Sequence, residues 1–82
     1  MSENKELNSN YLKEITTLIE EKNSLKLDTL ITKLHVADIA EIIEQLSTKD
    51  AKYFYNLIAN EEDSAAVLIE LEDNTREELL EN

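Results

Sequence analysis

Carboxylates are the chemistry-bearing groups of this sequence, and they crowd one end of it. Residues 61 to 82 hold nine acids (Glu61, Glu62, Asp63, Glu70, Glu72, Asp73, Glu77, Glu78 and Glu81) against one base, Arg76, and so supply −8 of a formal net charge of −11. Carboxylate oxygens suit hard divalent cations. The smaller of these keep much of their hydration shell, so a loose acidic surface facing another domain holds them better than a closed cage. Asp63 and Glu70 lie seven residues apart, two helical turns, and therefore share a helix face on either side of Ala66. With Glu62 they are the candidate metal ligands. The same acids also have an ordinary use: Glu61, Glu62 and Asp63 stand at a helix start, where the helix dipole favours negative charge, and Glu77 and Glu78 do so one helix later.

Other reactive groups are scarce. The chain has no cysteine, which excludes disulfides, thiolate metal sites and thiol nucleophiles. Its one histidine, His35, has neither a second histidine nor a cysteine beside it and falls between two apolar stripes, so a helix junction or N-cap is the expected role, with Asp38 reaching back to the same turn. Tyr53, Phe54 and Tyr55 form the only aromatic cluster; Phe54 and Tyr55 belong to a core face, and Tyr53 is expected at the surface. Catalysis by carboxylates needs perturbed acids in a walled pocket, and no such constellation is visible, so no enzyme activity is expected.

The elements that position these groups are helices. Apolar residues recur at i, i+3, i+4 and i+7 in Leu27, Leu30, Ile31 and Leu34, in Ile39, Ile42, Ile43 and Leu46, and in Ala51, Phe54, Tyr55 and Ile58. A first helix over about Tyr11 to Lys22 presents Leu12, Ile15, Leu18 and Ile19; a fifth carries Val67, Leu68 and Leu71, and a sixth starts near Thr75 with Leu79 and Leu80. Ser47 with Asp50, Asn60 with Asp63, and Asn74 with Glu77 are capping-box-like starts, while Asn23 or Ser24 and the pair His35 and Val36 divide the earlier helices. With no glycine or proline in 82 residues, any turn at positive φ falls to asparagine or aspartate. The fold class expected is all-α, about six short helices packed as a helical-repeat array. The organisation expected is a flexible polar N-terminus over residues 1–9 and one helical domain over residues 10–82.

A shift of 25 positions lays the chain on itself. Asp38 falls on Asp63, Ala40 on Ala65, Ile42 on Val67, Ile43 on Leu68 and Leu46 on Leu71, and Phe54 and Tyr55 fall on Leu79 and Leu80. A two-helix unit repeated at that period builds an array in which each unit covers its neighbour's apolar face. An open end of such an array invites self-association, so a homodimer through the fifth and sixth helices is one expectation.

Charge and hydropathy narrow the partners. A net charge of −11 opposes nucleic acid and anionic membranes and favours cations or basic surfaces. No apolar run approaches the roughly 20 residues that span a bilayer, so no membrane insertion of this segment is expected. The N-terminus lacks the features of a secretory signal, and a cytoplasmic location is expected.

From Leu34 the sequence reads LHVADIAEIIEQL and continues through Ala65, Ala66, Leu68, Glu70 and Leu71 to Arg76, Leu79 and Leu80. In order and spacing it resembles the N-terminal cytosolic domain of the MgtE family of magnesium transporters, whose typical run is L-H-P-A-D-I-A-E-L-L-E-x-L. Later come paired alanines and an R-x-x-L-L helix. The box from His35 to Glu41 is its specific part. The family's prolines at helix starts are here Val36, Thr48 and Glu61 or Glu62, and where the family commonly has a glutamate after the paired alanines this chain has Val67.

The resemblance implies a regulatory module of a magnesium transporter. Its acidic surface would sense intracellular magnesium, bound weakly and shared with a CBS-domain pair, and gate a membrane domain of the parent chain at the bacterial inner membrane. It also implies a fragment, since the family domain usually continues past six helices. Two other readings fit the same fold and charge: a protein-interaction scaffold like the flagellar motor switch protein, whose E-H-P-Q box is absent around His35, and a free-standing acidic adaptor for a basic partner.

Overall fold

Each apolar stripe folds into one helix. The computed structural model describes residues 9–81, with helices α1 (Ser9–Glu20), α2 (Ser24–Lys33), α3 (Val36–Glu44), α4 (Thr48–Asn56), α5 (Glu61–Glu70) and α6 (Asp73–Leu80), and no strand among the described residues. The class is all-α. Of the N-terminal stretch expected to be flexible, all but Ser9, which opens α1, lies outside the described residues.

The capping chemistry sets most of the boundaries. The Asn23 side chain accepts from the Lys26 N–H, Ser47 Oγ from the Asp50 N–H at 3.2 Å, and Asn60 Oδ1 from the Asp63 N–H at 3.0 Å, each satisfying a donor that a helix start leaves free. His35 is the N-cap of α3 in extended conformation; its carbonyl accepts from the Asp38 and Ile39 N–H groups, but its side chain makes no capping bond. Val36, Thr48 and Glu61 each stand at the first helical position, where the missing N–H of a proline costs nothing.

Three boundaries depart from the sequence reading. Helix α1 runs two residues earlier at each end, and its C-terminal end is set by a Schellman motif: the Lys22 N–H bonds the Ile19 carbonyl at 3.0 Å and the Asn23 N–H bonds the Leu18 carbonyl at 2.9 Å. The left-handed residue in that motif is Lys22, with φ of 56°, and not an asparagine or aspartate. Helix α6 starts at Asp73, not near Thr75, and its N-cap Glu72 makes no side-chain capping bond. The cap expected from Asn74 and Glu77 gives way to one supplied by another helix, Glu44 of α3.

Helices of 8 to 12 residues are too short to persist alone, so packing holds them. Helix α3 lies against α5 and α4 against α6, while α1 packs on α2 and α4. The core is made of Ile15, Ile19, Leu27, Ile39, Ile42, Ile43, Phe54, Val67 and Leu71 with their neighbours, and no polar or charged residue is buried among the described residues. Burying each large side chain contributes about 1.5–3 kcal/mol. The 25-residue shift recurs in the helix boundaries: α3 and α5 start at residues 36 and 61, and α4 and α6 at 48 and 73.

Candidate functional site

The first turn of α5 carries Glu61, Glu62 and Asp63, all exposed, and Glu70 closes the same helix, also exposed. Their position at the N-terminus of α5 follows from the Asn60 cap, and the Ser64 hydroxyl donating to the Glu61 carbonyl at 3.1 Å tightens the turn. Asp63 and Glu70 share a face, yet seven residues of helix separate them by about 10 Å along the axis. Two oxygens bound to one magnesium ion lie no more than ~4 Å apart. Among the described residues no three acidic, histidine or cysteine side chains converge on a point where they could hold a metal ion. The described residues therefore offer no all-protein cage for a metal ion.

Asp63 shares a cleft with an acid that the sequence did not link to it. Asp28 of α2 and Asp63 line one cleft of about 140 Å³, with Thr32 and Asn60 on its walls and Ile31, Leu34 and Ile58 also lining it. No periodicity links residues 28 and 63, so only the fold could place both on one cleft. Val67, where the family's glutamate would stand, is completely buried. In this chain that position belongs to the core, and a carboxylate there would be desolvated.

The turn from α5 into α6 is tied down by two charged side chains. Arg76 donates from Nε to the Leu68 carbonyl, from Nη2 to the Leu71 carbonyl and from Nη1 to Asp73, each at 2.9 Å, so one guanidinium satisfies two carbonyls at the end of α5. Glu44 accepts from the Glu72 N–H at 2.7 Å and the Thr75 hydroxyl at 2.6 Å. Thr48 of α4 in turn donates to Glu78 at 3.0 Å, and Lys52 to the Glu81 carbonyl at 3.0 Å. These contacts fix how α6, with its Glu77 and Glu78, is presented. Glu44 was legible only as an oddity, an acid in the register slot that Ile69 occupies 25 residues later.

The remaining candidates are placed as follows. His35 is exposed at the head of α3. Tyr53 is half-buried, with the Lys22 ammonium 4.9 Å from its ring centre, so part of the surface expected for it is covered by a cation–π contact. The Tyr55 hydroxyl donates to the Ser64 carbonyl at 3.1 Å and fastens α4 to α5. Burial pushes the Tyr11 phenol above its ordinary range, and the nearby charges of Glu14 and Asp38 add to this. No described helix is long and apolar enough to cross a membrane.

Comparison with known families matches residues 34–82, more than half of the chain, to the MgtE intracellular N domain. Comparison with curated proteins and with solved structures finds no match.

Proposed function

The chain belongs to the MgtE intracellular N domain family, and from that premise we propose that it is a regulatory module of a magnesium transporter, presenting the acidic face of α5 and α6 to a CBS-domain pair so that magnesium bound between them gates transport. The observation that carries the reading is the coincidence of the family match with the acid-rich segment. The matched residues include all nine acids from Glu61 to Glu81, and their carboxylates are exposed.

Metal between two acidic surfaces would favour the compact state through its differential affinity for it. This chain would supply Asp63 or Glu70, which lie too far apart along α5 to share one ion, with Glu62 and with Asp28, which lines the same cleft as Asp63. Those groups would orient a hydrated ion rather than strip it, which suits weak, regulatory binding.

The test is a magnesium titration of the 15N-labelled chain against sodium at equal ionic strength. Magnesium-specific shifts at Asp63 and Glu70, with a higher melting temperature, are expected at millimolar magnesium. Identical responses to the two salts would remove the claim that this chain holds the carboxylate half of the site. Asp63→Asn is expected to weaken the response without unfolding the chain, since the capping bond at this position uses the backbone N–H.

A further inference from the structure

The cleft lined by α2 and the start of α5 combines two kinds of wall. Ile31 and Ile58, both buried, make part of it apolar, and Asp28, Thr32, Asn60 and Asp63, all exposed, make the rest polar. Asp28, Ile31 and Thr32 precede residue 34, where the family match begins, so that match does not account for the cleft. Among the described residues no lysine or arginine lines it, and the one ion pair is that of Arg76 with Asp73. Asp28 and Asp63 thus reach solvent without a basic partner among the described residues.

Two exposed acids alone would attract any cation, and it is the apolar wall that discriminates. A hydrated metal ion gains nothing from isoleucine side chains, whereas a lysine or arginine lays its alkyl stem along apolar surface and keeps its charged head at polar groups. Arginine suits the polar wall better. Its guanidinium is planar and weakly hydrated, and it offers five donors to the carboxylate, hydroxyl and amide oxygens there.

The chain itself is a poor source of that side chain. Arg76 is committed to the Leu68 and Leu71 carbonyls and to Asp73, and Lys22 to the Tyr53 ring. Lys5, outside the described residues, is flanked in sequence by Glu3 and Glu6, which would bring two further carboxylates with it. A second copy would set one net charge of −11 against another, and like charges across an interface repel.

We propose that this cleft is a docking slot for an arginine side chain of a partner protein, with the alkyl stem against Ile31 and Ile58 and the guanidinium among Asp28, Thr32, Asn60 and Asp63. The slot requires no metal and stands apart from the magnesium reading. An arginine seated there excludes magnesium from Asp63, so the two are separated by working without the metal.

The test adds N-acetyl-arginine amide to the 15N-labelled chain in EDTA at low salt. Expected are saturable shifts at Asp28, Thr32, Asn60 and Asp63, with a dissociation constant on the order of millimolar for a ligand of this size. N-acetyl-norleucine amide, which keeps an alkyl stem and lacks the charge, should give none. The double variant Asp28→Asn, Asp63→Asn should bind about tenfold more weakly or worse, having lost its charged acceptors. Both acids are exposed and the Asn60 cap uses the Asp63 backbone N–H, so this variant keeps its helical circular dichroism. Four results would overturn the proposal: no saturable shift, equal shifts from guanidinium chloride at the same concentration, undiminished binding by the double variant, or about tenfold tighter binding after Lys5→Gln, which would mean that the chain fills its own cleft.

Discussion

The carboxylate of Glu44, the last residue of α3, accepts the Thr75 hydroxyl at 2.6 Å with one oxygen and the Glu72 N–H at 2.7 Å with the other. Glu72 is the N-cap of α6 and Thr75 its third helical residue. In a capping box the acid at that third position reaches back to the N-cap N–H; here the acid comes from a different helix, 28 residues earlier than the N–H it caps. Secondary and tertiary structure are joined in one contact, and α6 depends on α3 for its start.

Glu44→Ala is therefore expected to cost about 1–2 kcal/mol in urea unfolding, the value of a lost cap with a charged acceptor. Thr75→Val removes one of the two donors. A double-mutant cycle between the two should return a coupling of about 0.5–1 kcal/mol. Strict additivity would mean that the carboxylate and the hydroxyl do not interact in solution.

Lys22 sets a backbone cost against a side-chain gain. Its left-handed φ of 56° costs a non-glycine residue about 1–2 kcal/mol, and its ammonium over Tyr53 returns about 0.5–1 kcal/mol at an exposed site. Lys22→Gly should consequently change stability little in the parent chain. In a Tyr53→Leu background, where the cation–π contact is already gone, the same substitution should stabilise by about 1 kcal/mol. A Lys22→Gly effect of equal size in both backgrounds would show that the ring contributes nothing.

How much of this was legible in the sequence divides along physical lines. Helix existence and the caps at Ser47 and Asn60 could be read because each depends on residues a few positions apart, and the 25-residue unit because it repeats the same local pattern. The left-handed Lys22 was misassigned because a Schellman motif needs positive φ whatever residue stands there, and packing against Tyr53 helps the lysine stay. The start of α6 was misplaced because its cap is not local. For the acidic face, the sequence supplied the residues and their shared helix side, but that Asp28 and Asp63 line one cleft is visible only in the fold.

Tyr11 of α1 feels the charge of Asp38 on α3. Burial, then Glu14, then Asp38 raise its phenol above the ordinary value of 10.0. The folded chain therefore holds this proton more tightly than the unfolded chain does. Stability from this group is fully present below the unfolded value and is lost as pH rises through the folded one. Following the Tyr11 ring signals in an alkaline NMR titration should place its midpoint above 10.0, and Asp38→Asn should lower it. A midpoint unmoved by Asp38→Asn would remove the electrostatic contact with α3.

Proline at the head of α3 makes the sharpest test of the helix boundaries. Val36 is the first residue of α3, and His35 before it is extended at φ −78° and ψ 156°, a conformation that a following proline permits. No helical bond of α3 uses the Val36 N–H. Val36→Pro should therefore keep the fold and stabilise it by up to about 0.5–1 kcal/mol, by restricting the unfolded chain, less any packing lost with the half-buried valine. Glu41→Pro, in the middle of the same helix, should cost about 3 kcal/mol or more, because it removes a helical hydrogen bond and clashes with the preceding turn. Comparing the two by thermal circular dichroism decides where α3 begins: if Val36→Pro unfolds the chain as Glu41→Pro does, residue 36 lies inside the helix and the junction at His35 is misplaced.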